Sequence, residues 1–563
     1  MNFIENESAQ KLRGGFYTEP NIASFLTRWV LEKMPKSLLE PSCGDGAFLE
    51  AITAEKCDSL RQLFACEMDQ DEAARARARV PSTSKLSVEI HSGDFLRWFL
   101  FHSHATGHFD GILGNPPFIR YQYLPAEQQF LAEKVFSRFG LPFTKHTNAW
   151  VSFVIASFSL LSPGGRLAMV IPSEIFHISH AQSLRRFLAA HCSRILIFDP
   201  EELWFENALQ GVVLLLAEKK INHAERSLGI AVHPVDSKDI LHESPSAYFV
   251  AGDYINGESI EGKWMPVFLS KRERSLLKAL RADTRFATFD QLAKVDVGIV
   301  TGANKFFLVT DEIVESFGLQ QWAHPMFGRS EHVAGVIFDK FDLAANKKSG
   351  LPTNFLWFDD VALSSFPASV QRYLRSGEEQ ELPKRYKCRV REPWFRVPSV
   401  YASPVAMLKR AHHYPRLILN KAKTFTTDTA YRIQLKEVTA VSLVYSFLNS
   451  LTCLCAELEG RHYGGGVLEL VPSEIERLIL PICSVPESEL RGLDERFRVC
   501  SDDSQILREQ DVVVLRGSGL STNDLTAIHD AWDRLRNRRQ RNPVSEEDQV
   551  MSMKNGAPAS CVS

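Results

Sequence analysis

The segment Asp110-Gly-Ile-Leu-Gly-Asn-Pro-Pro-Phe-Ile-Arg-Tyr121 organises the chain. A short apolar strand, Phe109 to Leu113, runs into a glycine and then into Asn115-Pro116-Pro117-Phe118. Consecutive prolines fix φ and remove two backbone donors, which leaves their carbonyls to accept hydrogen bonds from elsewhere. The asparagine side chain adds a second kind of acceptor, and the phenylalanine adds a ring face. Two acceptors beside an aromatic face suit a flat group that carries an exocyclic amine. The same four residues also suit an ordinary Asn-Pro turn closing a strand. The sequence upstream weighs between the two.

Upstream, Arg13 to Pro20 is a glycine-to-proline loop leading into an amphipathic helix, Ile22 to Lys33, with Thr18 or Asn21 as its cap. Ser37 to Leu49 reads as a short buried strand, a tight loop holding Gly44 and Gly46, and a helix from about Ala47. Glycines let backbone approach a ligand closely, and a helix start offers unpaired N–H groups. The loop is not a full GxGxxG, because Leu49 stands in the third glycine place. A second strand, Leu63 to Asp69, ends in acids. Glu67 follows Gly44 at close to the ~20-residue spacing at which a carboxylate binds a ribose diol. Asp69 also suits a helix N-cap. A third strand, Leu86 to His91, leads to Gly93-Asp94-Phe95, an acid and a ring suited to an adenine amine and an adenine face.

Strands alternating with helices imply a doubly wound, Rossmann-like α/β sheet of parallel strands, whose ligands bind at the strands' carboxyl ends. The segments around Gly44, Glu67, Asp94 and Asn115 all fall at that edge, which points to an enzyme with a nucleoside-type cofactor. The alternation continues through a helix at Trp150 to Leu161, a turn at Ser162 to Gly165, and strands at Arg166 to Ile171 and Arg194 to Phe198. Val212 to Ala217 reads as the last buried strand. Beyond Lys219-Lys220 the texture becomes polar and irregular, which places a domain boundary near residue 250.

A chain of 563 residues has room for several domains. A net charge of -3 neither favours nor excludes a polyanionic partner, because clustering matters more than the sum. The ten cysteines are scattered without a CxxC pair, which fits reduced thiols better than a disulfide scaffold or a zinc site. Met1 to Gly15 is polar and charged and has no secretory pattern. The longest apolar run, Ala149 to Leu161, is too short to span a bilayer. A cytoplasmic protein without membrane or metal partners is expected.

The second half has longer loops. Val297 to Phe307 is a glycine-bearing segment between apolar pieces. From Lys384 to Lys423 the one acid is Glu392, set among many lysines and arginines, with Tyr386, Trp394, Phe395, Tyr401 and Tyr414 interleaved. Basic residues mixed with aromatics suit a groove for a polyanion, although charge runs are also ordinary solvated faces. Arg389, Arg391 and Lys421 are the candidate phosphate contacts. Arg461 to Gly466 adds a basic glycine loop. Leu525 to Arg541 reads as a helix, and the tail from Asn542 as disordered.

The order Gly15-Phe-Tyr-Thr-Glu-Pro20, Glu40-Pro-Ser-Cys-Gly-Asp-Gly46, Glu67, Asp94-Phe95 and Asn115-Pro-Pro-Phe118 resembles the gamma class of DNA adenine-N6 methyltransferases. It is similar to the Taq-like branch with a carboxyl-terminal target recognition domain. Gly298 to Phe307, Tyr386 to Trp394 and Tyr463 to Leu468 resemble that recognition domain, and the likeness runs to about residue 480. It implies an S-adenosylmethionine-dependent methyltransferase domain over residues 1–250 and a mixed α+β DNA-recognition domain over 251–490. A helical segment would follow over 491–541, then the tail over 542–563.

By motif match, the resemblance implies that Thr18 and the loop with Glu40, Cys43, Gly44 and Gly46 hold the methionine part of the cofactor. Glu67 would bind the ribose hydroxyls, Asp94 the adenine amine and Phe95 its ring. Asn115, Pro116, Pro117 and Phe118 form the catalytic tetrapeptide, with Phe118 where tyrosine is usual. A flipped-out adenine would stack on Phe118, with a second aromatic at Phe205 or Trp204. The implied partner is double-stranded DNA, with a cognate restriction endonuclease as a separate chain and a monomeric enzyme. An Asn-Pro-Pro tetrapeptide also occurs in protein-glutamine and RNA methyltransferases, and a catalytically dead DNA-binding module is a further alternative. Intact Asn115, Glu67 and Asp94 argue against decay.

Overall fold

The computed structural model describes residues 17–55, 57–80, 86–202, 204, 211–256, 262–358, 362–499 and 503–540. The chain forms two compact units, Met1–Phe268 and Leu269–Ser563. The division therefore falls later than residue 250. A short 3-10 turn, Met265–Phe268, still belongs to the first unit, where the Phe268 ring meets Phe176 at 4.8 Å.

The first unit alternates helices and strands. In chain order they are α1 (Pro20–Leu31), β1 (Ser37–Glu40), α2 (Ala47–Ala54), β2 (Gln62–Glu67), α3 (Gln70–Arg79), β3 (Ser87–Ser92), α4 (Phe95–Thr106) and β4 (Phe109–Gly114). Then come α5 (Ala126–Arg138), α6 (Ala149–Ser159), β5 (Leu161–Pro172), α7 (Gln182–His191), β6 (Cys192–Pro200), β7 (Val212–Lys219) and β8 (Gly229–Val235). The eight strands form one sheet in the order β3-β2-β1-β4-β5-β7-β6-β8. This is the expected Rossmann-like architecture. The order reverses beside β1 and β4, where such sheets open a crevice for ligands. Both faces are covered. On β2, Leu63 and Ala65 enter one core cluster, while Phe64 stacks on Trp98 of α4 across the other face at 4.5 Å.

The sheet departs from the sequence reading in two ways. First, β7 runs antiparallel to both β5 and β6, so the sheet is mixed. No helix is recognised in the sequence between β6 and β7, and without a crossover the chain can only return antiparallel. Second, β7 is not the last strand. β8 pairs with β6 in parallel from Arg194↔Gly229 to Pro200↔Val235. Its burial is partial, with His233 and Pro234 in the run, so it lacks the continuous apolar pattern of the inner strands. The turn expected at Ser162 to Gly165 lies inside β5, where the register against β4 jumps from Phe109↔Leu161 to Gly111↔Arg166.

The second unit is mixed α+β. Its five-stranded sheet joins Ala293–Val297, Ala430–Leu435, Val405–Leu408, Leu417–Asn420 and Ile337–Phe338. A hairpin, Arg461–Tyr463 with Val467–Glu469, pairs with Arg410–Ala411. The three late helices, Glu487–Val499, Asp503–Val514 and Thr522–Arg539, belong to this unit and are not a separate segment. Asp494 explains part of this: its carboxylate accepts the backbone N–H groups of Val336 at 2.7 Å and Ile337 at 2.8 Å. The tail over 542–563 lies outside the described residues.

Candidate active site and nucleic-acid interface

Four loops meet at the carboxyl edge of the first sheet. The loop after β1 is a tight turn in which Cys43 N–H donates to Cys66 O at 2.9 Å and Gly46 N–H donates to Cys43 O at 2.8 Å. Gly44 and Gly46 have φ of 51° and 94°. At Gly46 a Cβ would lie 2.9 Å from Ala76 Cα of α3, so both conformation and space exclude a side chain. Burial pushes the Cys43 thiol up and keeps it neutral.

Glu67, at the end of β2, ties this loop down. Its Oε2 accepts the Gly44 N–H at 2.8 Å and its Oε1 accepts the Asp69 N–H at 2.8 Å. Burial raises its pKa, and these backbone donors oppose the rise. A carboxylate has about four acceptor sites, so both oxygens retain capacity for a ligand. Asp69 caps α3 by accepting the Asp71 and Glu72 N–H groups, as its position suggested. Asp94 caps α4, accepting the Arg97 N–H at 2.9 Å. Phe95, buried behind it, has its ring centre 5.4 Å from that of Phe153 on α6.

The loop after β4 carries Asn115. Its Nδ2 donates to Thr18 Oγ1 at 3.2 Å, and its backbone carbonyl accepts from Ser42 Oγ at 3.1 Å. Thr18 is therefore not the cap of α1. That helix starts after Glu19 with Pro20 in its first turn and has no side-chain cap.

These loops enclose a cavity of about 420 Å³, within the usual range for a small-molecule site. Thr18, Glu40, Cys43, Gly44, Glu67, Asp94, Phe95, Asn115 and Pro117 line it. Gly46, Pro116 and Phe118 do not; Gly46 packs on α3, Pro116 is buried, and Phe118 is half-buried against the sheet core. Asp45 of the glycine loop also lines it, as do Glu72, Arg75 and Phe153, which the sequence reading did not single out. Phe153 sits in a largely apolar helix where nothing in the local pattern marks it. Trp204 is 2% exposed and belongs to the core that Phe118 packs against. Phe205 lies outside the described residues.

In the second unit the basic segment is only partly available. Arg391 donates to Thr301 O at 2.8 Å and Val300 O at 2.6 Å, fixing the glycine-bearing loop. Lys421 pairs with Glu487. Arg410 and Lys409 pair with Glu469, and Arg416 donates to Val333 O. Arg389 is exposed on the short helix Tyr386–Arg389, beside exposed Arg385 and Lys387. The Tyr386 ring is 66% exposed, with Lys387 Nζ 5.5 Å from its centre. Arg391 and Lys421 thus have partners within the unit, while Arg389 is exposed in a basic, aromatic surface. Among the described residues no cluster of side chains suits a metal ion, and no single helix is long and apolar enough to cross a membrane.

Known proteins resemble both units. Residues 50–204 match the family model of the Eco57I restriction-modification methylase, and residues 261–515 match the C-terminal domain of Type II methyltransferase M.Eco57I. Type II methyltransferase M.AccI of Acinetobacter calcoaceticus is 24% identical over 82% of this chain and 84% of its own. Type II methyltransferase M.XamI of Xanthomonas campestris pv. amaranthicola is 21% identical over 83% and 85%. The solved structure of the Type IIL restriction-modification enzyme MmeI in complex with DNA shares the fold at 13% identity. Its TM-score is 0.57, covering 98% of this chain and 80% of that one. The chain is thus similar, across both units, to type II restriction–modification methyltransferases.

Proposed function

We propose that this type II methyltransferase-like chain is a site-specific DNA methyltransferase, with S-adenosylmethionine as donor and N6 of a flipped-out adenine as acceptor. The observation that carries the reading is that Asn115, oriented by Thr18, lines the same cavity as Glu67, Asp94 and Phe95. The cavity fits such a cofactor. Its volume suits a small molecule, its glycine turn leaves room at Gly44, and Glu40 Oε2 is buried there with no hydrogen-bond partner among the described residues.

Thr18, Glu40 and the turn to Gly46 hold the methionine part, with Gly46 keeping α3 close. Glu67 receives the ribose hydroxyls, Asp94 the adenine amine, and Phe95 with Phe153 the adenine faces. When bound, the cofactor supplies an electrophilic sulfonium methyl group. The protein's work is alignment and desolvation. Adenine's amine is a weak nucleophile because its lone pair is conjugated into the ring. Asn115 Oδ1 and the Pro116 carbonyl accept its two N–H bonds and draw the nitrogen toward tetrahedral geometry. Phe118 offers a ring to the extruded base. The second unit chooses the site, and the surface of Arg385, Tyr386, Lys387 and Arg389 contacts phosphates. The enzyme is a monomer serving the modification half of a restriction–modification pair, whose nuclease is a separate chain.

The test is nucleoside mass spectrometry, with methylation-sensitive sequencing, of DNA from cells expressing the protein or its Asn115→Ala variant. N6-methyladenine at one motif is expected with the wild type and absent with the variant. Unmethylated adenine in both overturns the reading.

A further inference from the structure

Two turns of the first unit adjoin the tetrapeptide Asn115 to Phe118, and each carries a cation with nothing to pair with. The first follows Phe118 directly. Arg120 leads into the 3-10 turn Tyr121–Tyr123, and the Tyr123 N–H donates to Arg120 O at 2.9 Å. The second, residues 144–147, precedes α6, and the Thr147 N–H donates to Thr144 O at 3.0 Å. An antiparallel bridge between Arg120 and Asn148 joins the two, and the Ala149 N–H donates to Ile119 O at 2.8 Å. The pair is braced from beneath. The buried Tyr121 ring meets Phe143 at 5.5 Å, and its O–H donates to Glu133 Oε1 at 2.5 Å. Gln129 Nε2 donates to Tyr121 O and Leu124 O.

This platform turns Arg120 and Lys145 to solvent, with His146 and Tyr123 exposed beside them. Among the described residues neither cation makes a side-chain hydrogen bond or ion pair. Their basic neighbours are engaged: Arg97 pairs with Glu127, and Arg138 donates to Phe99 O and lies over the Phe99 ring. The acids of α5 are engaged too, Glu127 by Arg97 and Glu133 by Tyr121. Lys36, Lys220 and Arg226 also lack such partners, but they stand at the opposite edge of the sheet, beside the starts of β1, β6 and β8.

We propose that Arg120 and Lys145 form a phosphate clamp of the first unit, holding the DNA strand on both sides of the extruded nucleotide. The proposal rests on reading Asn115 to Phe118 as the place that receives the base. A nucleotide swung out of the duplex stays linked to a phosphate on each side. Arg120 is two residues from Phe118, at most ~7 Å along the backbone. A base on Phe118 therefore brings its own phosphates within reach of Arg120 and of the adjoining turn. Arginine offers a fork that matches phosphate oxygens, and lysine a point charge. These contacts carry no sequence information; they fix the strand where the base leaves the stack. Because the turns are already braced, little ordering cost falls on binding.

The experiment measures single-turnover methyl transfer by the full chain, with DNA below saturation, on duplexes that carry the motif found by sequencing. In these duplexes one phosphate at a time is replaced by a neutral methylphosphonate. Replacing the phosphate 5′ or 3′ to the target adenine should slow the wild type roughly tenfold, the low end for hydrogen bonds to a charged group. Arg120→Ala and Lys145→Ala should be similarly slow on unmodified DNA. Each should be indifferent to one of the two replacements, because side chain and phosphate belong to one interaction. Arg120→Lys should recover part of the loss. A wild type indifferent to both replacements overturns the proposal without any variant having to fold. Losses that simply add when side chain and phosphate are both removed overturn it as well. A wild type that methylates no DNA at all removes the reading of the tetrapeptide, and the clamp with it.

Discussion

Asn115 and Thr18 share a hydrogen bond, Nδ2 to Oγ1, at 3.2 Å. Thr18 precedes α1 and Asn115 follows β4, so one bond joins two segments far apart in sequence. An amide whose nitrogen is held on one side turns its oxygen to the other. Thr18 is therefore a positioning residue for the acceptor on which the proposed chemistry depends. Its short hydroxyl, offered by the sequence as one of two candidate caps and by the resemblance as a cofactor contact, caps no helix: α1 starts after Glu19 with Pro20 in its first turn and no side-chain cap.

Thr18→Val keeps the shape and removes the hydroxyl. A neutral hydrogen bond is worth about 0.5–1.5 kcal/mol net. Single-turnover methyl transfer should slow by roughly 2- to 12-fold, and Thr18→Ser should restore it. Asn115→Ala should abolish transfer while leaving cofactor affinity nearly intact. A wild-type rate in Thr18→Val would show that Asn115 holds its orientation without this bond.

Glu67 accepts two backbone N–H groups, from Gly44 and Asp69, before any ligand arrives. Glu67→Gln puts an NH2 group against one of these donors. Hydrogen bonds to a charged group are worth about 1.5–3 kcal/mol, so the cofactor Kd should rise roughly 12- to 150-fold. The melting temperature should fall as well, because the glycine turn loses its anchor. Calorimetry finding unchanged affinity in a folded variant would remove Glu67 from the cofactor site.

The two loop glycines should not respond alike to alanine. Gly44 has φ 51° and open space where a Cβ would stand, whereas Gly46 has φ 94° and Ala76 Cα 2.9 Å from that position. Gly44→Ala carries only the left-handed penalty of about 1–2 kcal/mol. Gly46→Ala adds a backbone clash with α3 and should lose more stability. Thermal melts of the two variants rank them, and equal losses would show that α3 yields at no cost.

Glu40 gives a stability signature of its own. An unfolded glutamic acid titrates near 4.3, and burial beside Glu67 and Asp45 raises the folded value. The folded state thus holds the proton more tightly, and wild-type stability declines as pH climbs from the unfolded value toward the folded one. Glu40→Gln does not titrate. Its melting temperature should gain on the wild type as pH climbs above the unfolded value. A constant difference across that range would mean that Glu40 is ionised in the folded protein throughout.

Much of the first unit was legible in the sequence because each strand end carries its chemistry within a few residues. Gly44, Glu67, Asp94 and Asn115 each close a short apolar run, and the parallel topology brings those ends to one edge. What was not legible depends on distance in sequence. Phe153 reaches the cavity from a helix without a marker, and the antiparallel β7 follows from a connection with no helical pattern. The basic block shows charge without showing which of its residues are already engaged. A lysine or arginine shows its charge in sequence but not its partner. Arg391 is bound to carbonyls of residues 300–301, and Lys421 meets Glu487 across the unit.

That distinction yields the last prediction. Arg389 and Arg391 are two residues apart, yet Arg389 is exposed and Arg391 clamps Thr301 and Val300. If the surface around Tyr386 contacts phosphates, Arg389→Ala should weaken specific and non-specific DNA binding alike. Each lost contact lowers the log–log salt slope by about one unit. Tyr386→Ala should weaken binding without changing that slope, because a ring releases no counterions. Arg391→Ala instead leaves two carbonyls without their donor. It should cost roughly 1.5–3 kcal/mol of stability, the scale of charge-assisted hydrogen bonds, and disturb the adjoining loop. DNA affinity measured against salt, beside thermal melts of the same proteins, separates the two effects. A reduced slope in Arg391→Ala with an unchanged slope in Arg389→Ala would reverse the assignment. An unchanged slope in both would move the phosphate groove to another face of the second unit, with the Arg461 to Gly466 loop as the next segment to test.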